Sequence, residues 1–199
     1  MASTTQPGSS ITVEAWGLLP EDAEGELVNG QLIEEEMATL VHEALVAFLI
    51  TVFTNWLGQN RGLVGGSNTK FKVSSRGGRK PDVFVYLPGT VLPRADARVI
   101  ETPPDIMVEV VSAARNDQRR DRIEKLAEYE HFGVAYYWIV DPQLRSLEIL
   151  EQGPDGRYIH AVTAGDGRLD RVPGCEGLVL DIDALWAIVD RLLPSEPVN

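Results

Sequence analysis

The chain has 199 residues, of which 44% are apolar and 24% charged, with a formal net charge of −12. That length and balance suit one globular domain with a sizeable core, and the acidic total weighs against a general nucleic-acid binder. A single cysteine, Cys175, excludes an internal disulfide and a Cys-rich zinc site.

Residues 1–10 are small and polar and are expected to be disordered. MASTTQPGSS lacks the basic-then-apolar order of a secretory signal. No run reaches roughly 18 consecutive apolar residues, so a cytoplasmic protein without a membrane span is expected. ELVNGQLIEEE (26–36) predicts two short strands around Asn29-Gly30. From Ala38 to Leu57 apolar residues recur at helical spacing, which predicts an amphipathic helix of about five turns ending near Gly58. TKFKVSS (69–75) and KPDVFVYL (80–87) read as strands joined by the basic link RGGR (76–79). A proline-containing loop (88–104) leads into the strand DIMVEVV (105–111).

A helix is expected from about Asp117 to Phe132, stopped by Gly133. GVAYYWIVDP (133–142) reads as a strand that Pro142 ends. LRSLEILEQ and RYIHAVTA flank GPDG (153–156) as a hairpin. A short strand near 178–180 and a helix over 181–192 close a single domain spanning 11–193, and residues 194–199 form a tail. Helix, strands, helix and more strands predict an α/β domain around one mixed central sheet.

One carboxylate does not suit this pattern. Glu109 lies between Val108 and Val110 in the most strand-like run of the chain. Burying an unpaired charge costs several kcal/mol or more, so Glu109 needs a metal, a proton or a cation. Asp82 opens the neighbouring apolar strand, and two carboxylates on adjacent strands can converge on one divalent ion. Lys125 is the candidate cation. Asp117, Asp121, Lys125 and Tyr129 follow at steps of four and form one helical stripe, which either makes exposed ion pairs or overhangs Glu109.

Charge is distributed unevenly along the chain. Residues 1–60 hold nine acids and no Lys or Arg, whereas residues 61–125 hold thirteen basic and eight acidic residues. The basic middle segment either is solvated charge or forms a surface for a polyanion. Its candidates for phosphate contact are Lys70, Lys72, Arg76, Arg79, Lys80, Arg115, Arg119 and Arg120.

These motifs together resemble the Uma-two family of bacterial endonucleases, a branch of the PD-(D/E)XK superfamily. The resemblance rests on NGQLIEE with MATLVH (29–42), PDVFVY (81–86), PPDIMVEVVS (103–112), DRIEKLAEY (121–129), GVAYYWIVDP (133–142) and GLVLDIDALW (177–186). It implies a restriction-endonuclease-like fold, a mixed sheet flanked by helices, and an endodeoxyribonuclease that hydrolyses DNA phosphodiester bonds. Asp82 matches the Asp of PD and Glu109 the acid of (D/E)XK. Val111 stands where the motif's lysine would be, and Lys125 matches the lysine that the next helix supplies.

The resemblance further implies an acid from the first helix or the strand before it, with Glu34, Glu35 and Glu36 available and Glu35 preferred. His42 matches the family's first-helix histidine, and Asp121 could steady Lys125. Asp82, Glu109 and the main-chain carbonyl of Val110 would hold Mg²⁺, with Mn²⁺ able to substitute. Analogy with nucleases of this size adds a homodimer cutting both strands. The competing reading is a catalytically inactive module that binds nucleic acid or protein on the same fold.

Overall fold

The computed structural model describes residues 10–20, 25–34, 37–59, 62–112 and 120–192. The expected disordered segment (save Ser10), the 194–199 tail, Glu35, Glu36, Arg115, Asp117 and Arg119 lie outside these residues.

A short helix that the apolar pattern did not predict, α1 (Val13–Gly17), starts at Thr12, whose hydroxyl accepts from Ala15 N. Strands β1 (Glu26–Val28) and β2 (Gln31–Ile33) then pair antiparallel across Asn29-Gly30. Both turn residues have positive φ, 51° and 81°, as a two-residue hairpin turn of this kind requires.

Helix α2 (Leu40–Leu57) begins two residues later than the spacing suggests. Thr39 caps it by accepting from His42 N, and Gly58 ends it. Leu45, Leu49 and Phe53 are fully buried, each worth about 1.5–3 kcal/mol. By length and composition α2 could cross a membrane, and it is the only such helix among the described residues. Its buried side packs on the sheet and on the last helix.

β3 (Leu63–Gly66) was not expected, because glycine weakens a strand. Here Gly65 is required: a Cβ at that position would collide with the Phe84 ring. β4 (Phe71–Ser74) and β5 (Gly77–Arg79) form a hairpin, so GGR is a strand and not the expected link. The Trp16 ring lies against Gly78 so closely that a Cβ there would overlap it. That contact locks β5, and with it Arg79, against α1.

β6 (Val83–Tyr86) and β7 (Ile106–Val110) run antiparallel, with Val83 opposite Val108. The expected helix over 117–132 is described from Arg120 onward. Its described part runs as a π-helical turn (Arg120–Lys125) and continues as α3 (Leu126–Phe132) to Gly133, whose φ is 94°. β8 (Tyr136–Asp141) pairs parallel with β7 and antiparallel with β9 (Ser146–Gln152), which pairs with β10 (Tyr158–Ala164). β11 (Arg168–Leu169), β12 (Leu180–Asp181) and α4 (Ile182–Leu192) complete the described chain.

The central sheet has six strands in the order β10-β9-β8-β7-β6-β3, beside a four-stranded sheet β2-β1-β5-β4. Alternation divides β7 between two cores. Ile106, Val108 and Val110 pack with α2 and α4. Met107 packs with Val111 and Tyr129 on the other face, which is therefore the face Glu109 enters.

Candidate active site

Glu109 is buried, at 2% exposure. Its partners come from the stripe that follows it. Lys125 Nζ donates to Glu109 Oε2 at 2.8 Å and Tyr129 Oη to Oε1 at 2.6 Å. Lys125 also lies 3.2 Å from Asp121 Oδ1 and 3.6 Å from Glu26 Oε1. The described members of the stripe, Asp121, Lys125 and Tyr129, therefore face inward, and the Asp121–Lys125 pair is a buried one. π-Helical turns are rare and often mark functional sites, and this one carries both residues.

Register brings Asp82 to the same place. Continuing the Val83–Val108 pairing by one rung sets Asp82 opposite Glu109. Asp82 Oδ2 accepts from Val110 N at 2.7 Å and lies 3.1 Å from His42 Nε2 at the start of α2. Asp82, Glu109, Asp121, Lys125 and His42 line one pocket of about 670 Å³, walled by the start of α2, the end of β7 and the β8–β9 turn.

Four carboxylates (Glu26, Asp82, Glu109 and Asp121) meet two buried cations, Lys125 and Arg79, and the titration of the group reflects that excess. Burial pushes the Glu109 carboxyl well above its ordinary value; Lys125 opposes this, while Asp82, Asp121 and Glu26 add to it. Asp121 is raised for the same reasons. Burial favours the neutral amine of Lys125, but Glu109, Glu26 and Asp121 outweigh it and hold the ammonium well above its ordinary pKa. For Glu26, burial is outweighed by Lys125 and Arg79, and its carboxyl is lowered. Burial works against the His42 imidazolium, yet the bond to Asp82 raises its pKa.

The Uma2 family model, described as "Putative restriction endonuclease", matches residues 13–183. The chain belongs to the Uma2 family. A solved structure, a "putative nuclease belonging to DUF820" from Anabaena variabilis ATCC 29413, shares the fold at a TM-score of 0.71 and 18% identity. The match covers 90% of this chain and 99% of that one. No curated protein matches the sequence. The Uma2 chain thus has the restriction-endonuclease-like fold, a mixed sheet flanked by helices.

Proteins of this fold family generally use divalent metals. No three His, Cys, Asp or Glu side chains among the described residues converge on one point. An ion here would therefore rest on two carboxylates and be completed by main-chain oxygen or water. Mg²⁺ is commonly held in that way. Tyr129 and Lys125 occupy two of the roughly four acceptor sites of the Glu109 carboxylate. Asp82, the remaining Glu109 acceptor sites and the Val110 carbonyl are hard oxygen donors beside an excess of negative charge. The residues fit a hard divalent cation.

The Uma2 site also contains residues that the sequence did not single out. Glu26 in β1 is a buried carboxylate at this site; Glu34 is exposed, and Glu35 and Glu36 lie outside the described residues. Glu26 Oε2 accepts from Arg79 Nη1 at 2.7 Å and Oε1 from Lys80 N at 3.0 Å. Its one sequence signal was an acid leading directly into an apolar strand. Tyr129 was visible as the last member of the stripe but carried no assigned role.

Two basic candidates need correction. Arg79 is fully buried and bound to Glu26 and Glu128. Lys70 is also buried, donating to the carbonyls of Trp16 and Leu19 at 2.9 and 3.2 Å. Neither ammonium nor guanidinium can reach a phosphate from there. Lys72 meets Glu101 and Glu14 at the surface, Arg76 is exposed and donates to Asn29 O, and Lys80 and Arg120 line the pocket.

Proposed function

We propose that this Uma2 chain is a metal-dependent endonuclease that hydrolyses DNA phosphodiester bonds. The observation that carries the reading is one pocket holding Asp82 and Glu109 on adjacent strands, with Lys125 bound to Glu109 at 2.8 Å. Asp82, Glu109 and the Val110 carbonyl would hold Mg²⁺ or Mn²⁺. Such an ion supplies Lewis-acid polarisation of the phosphate and lowers the pKa of bound water.

The residues divide the remaining work. Lys125 is held protonated by three carboxylates, so it suits charge compensation and orientation and not proton abstraction. Tyr129 fixes the Glu109 carboxylate from the other side. His42 holds Asp82, and Asp121 holds Lys125. Lys72, Arg76, Lys80 and Arg120 are the proposed phosphate contacts among the described residues. A cytoplasmic homodimer cutting both strands is part of the same proposal.

The test is single-turnover cleavage of plasmid DNA with Mg²⁺ or Mn²⁺. Asp82→Asn removes a ligand charge and should lower the rate by roughly a hundredfold or more. Chelation should abolish cleavage in the unmodified protein. Cleavage by Asp82→Asn at the full rate would overturn the reading. One observation favours the inactive binding module: Lys125 and Tyr129 each already take one acceptor position on the Glu109 carboxylate. Salt-sensitive DNA binding without cleavage at saturating metal would put that reading first.

A further inference from the structure

The turn between β8 and β9 (142–145) is fixed from inside. Asp141 is 1% exposed, and its Oδ1 accepts from Gln143 N and Leu144 N, each at 3.0 Å. Its Oδ2 accepts from Arg122 Nη2 at 3.1 Å. The turn closes on Arg145, whose φ is 49°. Among the described residues that are not glycine, only Asn29 shares a positive φ with it. Asparagine tolerates this region because its short side chain bonds locally, whereas a long side chain is strained there. Glycine would close a hairpin of this kind without strain. Backbone strain beside a pocket points to work done by the side chain that imposes it.

Arg145 lines the pocket that holds Asp82 and Glu109, and the sheet explains how it gets there. Strands β6, β7 and β8 are successive neighbours. β7 and β8 run parallel with Val110 beside Val140, and β6 begins beside the end of β7, with Val83 opposite Val108. The start of β6 and the ends of β7 and β8 therefore share one edge of the sheet. Lys80, which also lines the pocket, approaches from before β6, and Arg145 from after β8. The two cations enter on either side of the strand that carries Glu109. Strands spaced by about 4.8 Å put β6 and β8 roughly 10 Å apart, a separation that suits different phosphates of one nucleic-acid strand.

The Arg145 guanidinium donates through Nη1 and Nη2 to Asp190 of α4, and the two side chains are 45% and 58% exposed. An ion pair this exposed contributes little to stability, so it does not account for the strained backbone. It does hold a long side chain in one direction while further N–H groups of the fork stay available to an anion. We infer that Arg145 binds a backbone phosphate of the nucleic acid, next to the phosphate held over Asp82 and Glu109. A phosphodiester approaching a floor rich in carboxylates, in a chain of net charge −12, needs cations along its way in. The planar fork of arginine matches phosphate oxygens two at a time. This inference rests on the nuclease reading and adds a substrate contact from a wall that the basic middle segment does not supply.

The experiment uses the full chain and one defined DNA duplex. Binding is measured with Ca²⁺ over a series of salt concentrations, and single-turnover cleavage with Mg²⁺. Arg145→Asn keeps a residue that accepts positive φ, so the melting temperature should stay within about 2 °C of the unmodified value. Its Kd for DNA should rise roughly tenfold. The salt dependence of binding should flatten by about 0.9 in slope, with the cleavage rate at saturating DNA nearly unchanged. Arg145→Lys should keep the slope while binding more weakly, because the charge remains and the fork does not. Asp190→Asn removes the ion-pair partner but keeps the guanidinium, and should not weaken binding. An Arg145→Asn chain with the unmodified Kd and slope overturns the inference. So does an equal loss of binding in Asp190→Asn, since the pair would then serve only to hold the turn on α4. Normal cleavage beside an unchanged Arg145→Asn slope refutes this inference alone, whereas the expected slope without any cleavage refutes the nuclease reading alone. A chain that binds no DNA overturns both.

Discussion

Lys125→Met is expected to lower the free energy of unfolding by roughly 3–5 kcal/mol at neutral pH, and Glu109→Gln in the same chain is expected to recover much of that loss. Lys125 is the shared partner of Glu109, Asp121 and Glu26. Removing it takes this cation from Glu109 and Asp121, while Glu26 keeps Arg79. Glu109→Gln by itself should cost far less, because Lys125 keeps Asp121 and Glu26, and one negative charge leaves a group that already has too many.

The pH dependence carries a sign. Burial and the neighbouring acids raise the folded pKa of Glu109 above its ordinary value of 4.5. A folded state that binds the extra proton is favoured below the unfolded pKa and loses that advantage as pH rises through the raised value. Lys125→Met removes the main opposing charge, so the defect should shrink as pH falls from about 8 toward 5. Glu26 titrates in the other direction, its lowered pKa adding stability that is lost only below about 4.5. Denaturant unfolding of both single variants and the double variant across that range checks the account. A Lys125→Met chain as stable as the unmodified one would refute it; a double variant no better than Lys125→Met would show that charge excess is not the cause.

The parts of the site that were legible in the sequence are those governed by short periods. Alternation in β7 places Glu109 on the face opposite Val108, and the step of four joins Asp121, Lys125 and Tyr129. Both periods survive folding because backbone geometry alone sets them. Glu26 was not legible because its importance depends on β1 pairing with β5, with Leu27 opposite Gly78. That pairing joins residues about fifty positions apart and leaves no local trace. Arg79 was misread for a related reason. Counting charge along the chain treats every cation as solvated, whereas the approach of Trp16 to Gly78 and the carboxylates of Glu26 and Glu128 enclose this one. The π-helical turn is equally invisible to a step of four, which an α-helix explains as well.

Arg79 should therefore behave as a structural cation and not as a DNA-binding one. Its guanidinium gives Nη1 to Glu26 and Nε and Nη2 to Glu128. Burial works against its charge, but Glu26 and Glu128 more than offset that and raise its pKa. Arg79→Met leaves Glu26 buried beside Lys125 with its guanidinium partner gone, so unfolding should become easier by roughly 3–5 kcal/mol. For a chain of this size the melting temperature should fall by roughly 6–20 °C. Arg79→Lys keeps the charge but cannot span both carboxylates with one planar fork, and should recover only part of the stability. Arg76→Glu, at an exposed turn, should leave the melting temperature nearly unchanged and flatten the salt dependence of DNA binding, by about 0.9 in slope for each phosphate that is no longer neutralised. Arg79→Met should keep the unmodified salt slope wherever it remains folded. A stable Arg79→Met protein with a flattened slope would return this residue to the DNA-binding surface and remove it from the core.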